Sequence, residues 1–131
     1  MNEQKIAYFM DDDPDFLELI PDVIRHPRFE VQTHCVINGY HTIDEILKVK
    51  PHVLFIDFDL PKANGGQILP ILKSIETLRN LPIYFVTAYQ EEQILPFLRE
   101  FAFSGIVVKN ESLRAKVLEI LNELDRAVSA S

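Results

Sequence analysis

KIAYFMDDDPDF, residues 5–16, holds a strand, a knot of acids and the opening of a helix in one short passage. Lys5 to Met10 is a nearly continuous apolar run, the pattern of a strand covered on both faces. Asp13 and Pro14 form a good N-cap and first-turn pair. Beyond them Phe16, Leu17, Ile20, Val23 and Ile24 fall on one side of a helix. A strand running straight into a helix is the first half of a βαβ unit, and repetition of that unit builds a parallel sheet. The passage also poses a question, because Asp11, Asp12 and Asp13 crowd like charges where the strand ends.

The unit repeats. FEVQTHCV (29–36), HVLFID (52–57), PIYFVT (82–87) and GIVVK (105–109) read as strands rich in β-branched and aromatic residues. FEVQTHCV alternates most and suits a sheet edge. Helical periodicity covers 40–49, 66–79, 91–101 and about 111–127, the last with a stripe of Leu113, Val117, Leu118, Ile120, Leu121 and Leu124. Pro21, Pro70 and Pro96 fall inside helical windows. Pro21 is expected to kink the first helix or end it early, and Pro70 and Pro96 to sit near first turns. The fold expected is α/β: a (βα)5 doubly wound, flavodoxin-like parallel sheet of five strands in the order 2-1-3-4-5.

A chain of 131 residues fits one domain, 1–131, with a core over about 5–127 and a small polar tail, 128–131, expected to fray. The hydrophobic fraction of 47% and charged fraction of 25% are those of a globular protein. A net charge of -7 and the lack of a basic run argue against direct nucleic-acid binding. Cys35 is the only cysteine, which excludes an intrachain disulfide and a thiolate zinc cluster. His26, His34, His41 and His52 show no ligand spacing. No apolar stretch is long enough to span a membrane, and MNEQK lacks the apolar segment of a signal peptide, so a cytoplasmic location with no membrane partner is expected.

In a sheet of this kind ligands bind outside the carboxyl ends of the strands. Strand one ends at Asp11 and Asp12, strand three at Asp57, strand four at Thr87 and strand five at Lys109. With strand order 2-1-3-4-5 these ends are contiguous. Carboxylates forced together repel and raise one another's pKa unless a cation sits among them. A hard divalent ion, Mg²⁺ above all, takes oxygen ligands at about 2.0–2.1 Å and keeps several waters, which suits an open acidic rim. With Lys109 and the Thr87 hydroxyl added, the set can bind phosphoryl oxygens. Asp13 is better explained as a helix cap than as another ligand. Pro61 and Gly65 are better explained as turn-formers than as contacts.

MDDDP, IDFDLPKANGG, VTAY and VVKN, in that order and at these separations, resemble the receiver domains of bacterial two-component response regulators. The likeness covers nearly the whole chain. It implies that Asp57 is a phosphoacceptor that attacks a phosphohistidine to form an acyl phosphate. It further implies that Asp12 and Asp57 ligate Mg²⁺ directly, Asp11 through water and Asp59 through its backbone carbonyl. Thr87 and Lys109 would each bind a phosphoryl oxygen. The implied partners are a histidine kinase or histidine phosphotransfer protein and a downstream target at the face of helix four, strand five and helix five. With no further domain read in the chain, output is expected through a partner, and the only catalysis expected is its own phosphotransfer and dephosphorylation.

The sequence departs from the family pattern at three places. Asn110 follows Lys109 where a proline with a cis bond is usual, so either that bond is trans or strain is retained. Ile106 stands where an aromatic switch residue is usual, which leaves signalling mainly to the loop after strand four and the face of helix four, strand five and helix five. Asp59 adds a carboxylate near the acceptor, and with Tyr89 it flanks the expected path of hydrolytic water. Two other function classes remain: a receiver-fold binding module that ignores phosphorylation, and a haloacid-dehalogenase-like phosphohydrolase, suggested by DFD at 57–59 but lacking the further paired acids.

Overall fold

The structure is a computed structural model and describes residues 4–98 and 102–130. β1 (Lys5–Asp11), β2 (Phe29–Cys35), β3 (Val53–Asp57), β6 (Ile83–Thr87) and β7 (Gly105–Val108) form one five-stranded sheet in the order β2-β1-β3-β6-β7. All four pairings are parallel. In sequence rank this is the expected 2-1-3-4-5, with alternating β2 at the edge.

Period-2 alternation along the strands divides the core in two. Tyr8, Met10, Leu54, Ile56, Ile83 and Phe85 face α2 (Thr42–Val49) and α3 (Gly65–Ser74), which contribute Ile46, Ile68, Leu69 and Leu72. Ala7, Phe9, Val53, Phe55, Val86 and Val107 face α1 (Pro14–Val23) and α5 (Leu113–Ala130), which contribute Leu17, Ile20, Val117, Ile120 and Leu121. Every residue of β3 is buried. Nine Val, Leu, Ile, Phe and Met side chains of these strands are 1% exposed or less, among them Phe9, Phe55 and Phe85, and each such burial stabilises by about 1.5–3 kcal/mol.

The helices correct the sequence reading in several places. The fourth, expected over 91–101, is α only over α4 (Glu91–Ile94) and continues as a 3₁₀ turn, Leu95–Phe97. Pro96 is the reason: it lacks an N–H and its ring crowds the carbonyl four residues back. Residues 99–101 of the expected helix lie outside the described residues. The third helix stops at Ser74 and is followed by a 3₁₀ turn, Glu76–Leu78. Pro70 is its sixth residue rather than a first-turn residue, and the helix continues past it because Leu69 and Leu72 are fully buried. α1 carries Pro21 and ends two residues later, at Val23. α5 runs to Ala130.

Between β3 and α3 the chain makes a hairpin that the sequence reading had treated only as a turn. β4 (Asp59–Leu60) pairs antiparallel with β5 (Ala63–Asn64). Pro61 and Lys62 form its tip, with Lys62 at φ 73°. Gly65 then lets the start of α3 press against the sheet, since a Cβ there would stand 2.5 Å from Phe85 Cε1 and 2.7 Å from Phe58 Cδ2.

Candidate functional site

The three aspartates of the opening passage have three different employments. Asp11 is buried at the end of β1, and its Oδ1 accepts from the Asp13 amide at 2.9 Å. Asp13 caps α1, its Oδ1 accepting from the Asp15 amide at 3.0 Å. Asp12, between them, is exposed and leans toward the site. Capping thus explains Asp13, and the remaining pair needs a different cause.

Asp57 supplies part of it. It ends β3, is 7% exposed, and its Oδ1 accepts from the Asp59 amide at 3.0 Å. One carboxylate oxygen from each of Asp11, Asp12 and Asp57 lies within 4.8 Å of the others. Lys109, just past the edge strand β7, reaches in along the same face of the sheet. Its Nζ stands 2.7 Å from Asp11 Oδ2 and donates to Asp57 Oδ2 at 3.1 Å. Asp11, Asp57 and Lys109 share the parity of the residues that face α1 and α5, which is how strands distant in sequence bring them together.

The electrostatics of this group are unbalanced. Burial and then the Asp11 charge push the Asp57 carboxyl up to about 6, against the pull of Lys109. Asp12 is raised for the same two reasons. Burial alone would lower Lys109, but its hydrogen bond to Asp11 and the charges of Asp57 and Asp11 leave it raised. Three ionised carboxylates against one ammonium leave two negative charges uncompensated. All the donors are hard oxygens on an open rim, so the set fits a hard divalent cation.

Thr87 closes β6 and is 1% exposed, with its Oγ1 accepting from the Tyr89 amide at 3.0 Å. The Lys109 amide donates to the Thr87 carbonyl at 2.7 Å, which ties the two strand ends together. The Asp59 carboxylate is exposed and stands outside the acidic trio. It lines a cavity of about 270 Å³ with Phe58, Asn64, Tyr89, Gln93 and Phe97. No other cluster of three or more metal-ligating side chains occurs among the described residues. A larger recess of about 550 Å³, lined by Leu47, His52, Leu78 and Pro82, opens near the amino ends of β3 and β6, away from this chemistry.

The loop after β7 resolves the question raised by Asn110. No peptide bond among the described residues is cis, so the Lys109–Asn110 bond is trans, and Lys109 still reaches both acids. Asn110 does a different job from proline. Its amide donates to the Val108 carbonyl at 2.9 Å, and its side-chain oxygen accepts from the Ser112 amide at 2.9 Å, an Asx turn leading into α5. Ile106 is half-buried beside the α3-side core. Sequence reasoning missed one neighbour of the site: Phe16, assigned to the apolar stripe of α1, has its ring centroid 4.5 Å from Lys109 Nζ.

Comparison with known proteins agrees with this geometry. The chain is 31% identical over 88 residues to a protein-glutamate methylesterase/protein-glutamine glutaminase of Vibrio vulnificus, covering 66% of this chain and 24% of that protein. It is 27% identical over 86 residues to the polar-differentiation response regulator DivK of Brucella anthropi, covering 65% and 68%. Matches to a hybrid signal transduction histidine kinase of Dictyostelium discoideum and to the protein RcaC of Microchaete diplosiphon cover 8% and 12% of those proteins, so the chain spans a small part of several curated relatives. Among solved structures, a chemotaxis response regulator of Vibrio cholerae superposes with TM-score 0.77 at 16% identity over 93% of this chain and 99% of that one. The response regulator RcsB of Salmonella typhimurium gives 0.79 at 21% over 97% and 62%. Residues 8–121 match the family described as the response regulator receiver domain, and the chain belongs to that family.

Proposed function

We propose that the protein is a phosphoryl-accepting signalling module in which Asp57 receives a phosphoryl group from a phosphohistidine. The observation that carries this reading is the convergence on one buried carboxylate of a lysine from 52 residues further along the chain and of the acids closing β1. In the transfer an Asp57 oxygen forms a bond to phosphorus as the phosphorus–nitrogen bond breaks, and the imidazole leaves with the electron pair. The transition state is loose, so the chain contributes alignment and charge rather than a base. Lys109 meets a developing equatorial charge, and the Thr87 hydroxyl binds another phosphoryl oxygen. Mg²⁺ would be held by Asp12 and Asp57 with Asp11 and the Asp59 carbonyl, and would neutralise phosphoryl charge when bound.

A histidine kinase or histidine phosphotransfer protein would supply the group, and a target protein would read its presence by population shift. The α4 region offers exposed apolar side chains for such a target: Tyr89 is 49% exposed and Phe97 60%. With Ile106 in place of an aromatic residue, the signal would travel through the Thr87 loop. The test is Mg²⁺-dependent labelling of the chain by acetyl phosphate, followed by mapping of the modified residue. Label on Asp57, lost in Asp57→Asn, is the expected result. Absence of label under these conditions would favour a binding module that works without phosphorylation.

A further inference from the structure

Phe16 is the third residue of α1, and its spacing with Leu17 and Ile20 reads as core. Its surroundings differ from theirs. Leu17 and Ile20 are 6% and 1% exposed, whereas Phe16 is half-buried, with its ring beside the Lys109 ammonium. Three groups therefore surround Nζ: Asp11 at 2.7 Å, Asp57 at 3.1 Å and the ring at 4.5 Å from its centroid. The negative face of an aromatic ring attracts a cation, the more so where water is excluded, and the Lys109 side chain is only 20% exposed.

The ring and the acids hold the ammonium in different ways. A hydrogen bond to one oxygen weakens steeply when its donor turns or moves by an ångström. Attraction to a ring face is broad and survives such a movement. An ammonium that must leave a carboxylate oxygen for an oxygen of an arriving phosphoryl group needs one contact that persists throughout. We propose that Phe16 is a positioning residue for phosphoryl transfer, its ring retaining the Lys109 ammonium as it passes from Asp57 to the phosphoryl group. This rests on the reading of Asp57 as the acceptor.

The test replaces Phe16 by mono-, di- and trifluorinated phenylalanines, which keep the ring's shape while draining its negative face, and adds the substitution Phe16→Leu, which removes the ring. Two quantities are read: the maximal rate of Asp57 labelling by acetyl phosphate with its half-saturating concentration, and the proton shifts of the Lys109 ε-methylene. The maximal rate is expected to fall stepwise with fluorination, by about three- to tenfold at the trifluorinated ring, with thermal stability unchanged. Phe16→Leu is expected to match or exceed that loss, and the Lys109 protons to move downfield as their ring-current shift disappears. A rate that stays flat across the fluorinated series while wild type labels normally overturns the positioning role alone. Unshifted Lys109 protons in the wild type overturn the contact itself. A wild type that takes no label overturns the acceptor reading, and the positioning role falls with it.

Discussion

Asp57 is ionised at neutral pH against its surroundings, and this has a measurable consequence. Its carboxyl takes up a proton near pH 6 in the folded chain and near 3.8 when unfolded, so the folded state binds the proton more tightly. The stability this contributes is complete below about pH 3.8 and is lost as pH rises through about 6. Two units correspond to about 3 kcal/mol as an upper bound. Urea unfolding in EDTA is therefore expected to show Asp57→Asn close to wild type at pH 4 and more stable by about 2–3 kcal/mol at pH 8. A constant difference across that range would remove the uncompensated charge from the account. Tyr89 is a second residue-level case. Its exposed ring shares a cavity with Asp59, two residues beyond Asp57, and on the proposed reading it obstructs the water that would hydrolyse a phosphorylated Asp57. The phosphoryl half-life is expected to be several-fold shorter in Tyr89→Ala, and an unchanged half-life would assign hydrolysis control elsewhere. Legibility was uneven at this scale: Asp11, Asp12, Asp57, Thr87 and Lys109 could be placed because strand ends in a parallel sheet must converge. Phe16 could not, since an aromatic residue at helical spacing looks the same whether it meets a core or a cation.

The elements carrying the site were legible where burial dictates pattern and obscure where local chemistry does. Strands covered on both faces announce themselves as apolar runs and an edge strand by its alternation, and all five of the main strands lie where these patterns predicted. The helices were mistaken where proline intervenes, as at Leu95–Phe97, and where packing overrides it, as at Pro70. Asn110 illustrates the same divide. Family pattern favours proline there, yet the structure uses both the Asn110 amide and its side chain to turn the chain from β7 into α5. Asn110→Pro removes both hydrogen bonds, at about 0.5–1.5 kcal/mol each, while stiffening the unfolded chain recovers about 0.4–1 kcal/mol. The variant is thus expected to lose roughly 1 kcal/mol despite restoring the commoner residue, measured by chemical denaturation. A gain in stability would show that the Asx turn is dispensable and that proline suits the trans geometry.

Across the whole molecule, β1, β3, β6 and β7 hold the acids, hydroxyl and ammonium at one rim because the order β2-β1-β3-β6-β7 makes their carboxyl ends neighbours. The two cores on either side of the sheet fix these strands in register, so the charges cannot separate without disrupting both. Repulsion at the rim is consequently a load on the entire fold rather than on one loop, and a divalent cation that relieves it must stabilise the folded state as a unit. At a hundred times its dissociation constant a ligand that binds only the folded chain adds about 2.7 kcal/mol, or roughly 10 °C in Tm for a domain of this size. Calorimetry at pH 8 is expected to show Mg²⁺ raising Tm by that order, with EDTA reversing it. The increment should shrink in Asp57→Asn and in Asp12→Ala, which remove two of the clustered carboxylates. It should also shrink in wild type below pH 5, where Asp57 is protonated and the excess negative charge is halved. An increment equal at pH 5 and pH 8, or unaffected by either substitution, would place the bound ion somewhere other than this rim.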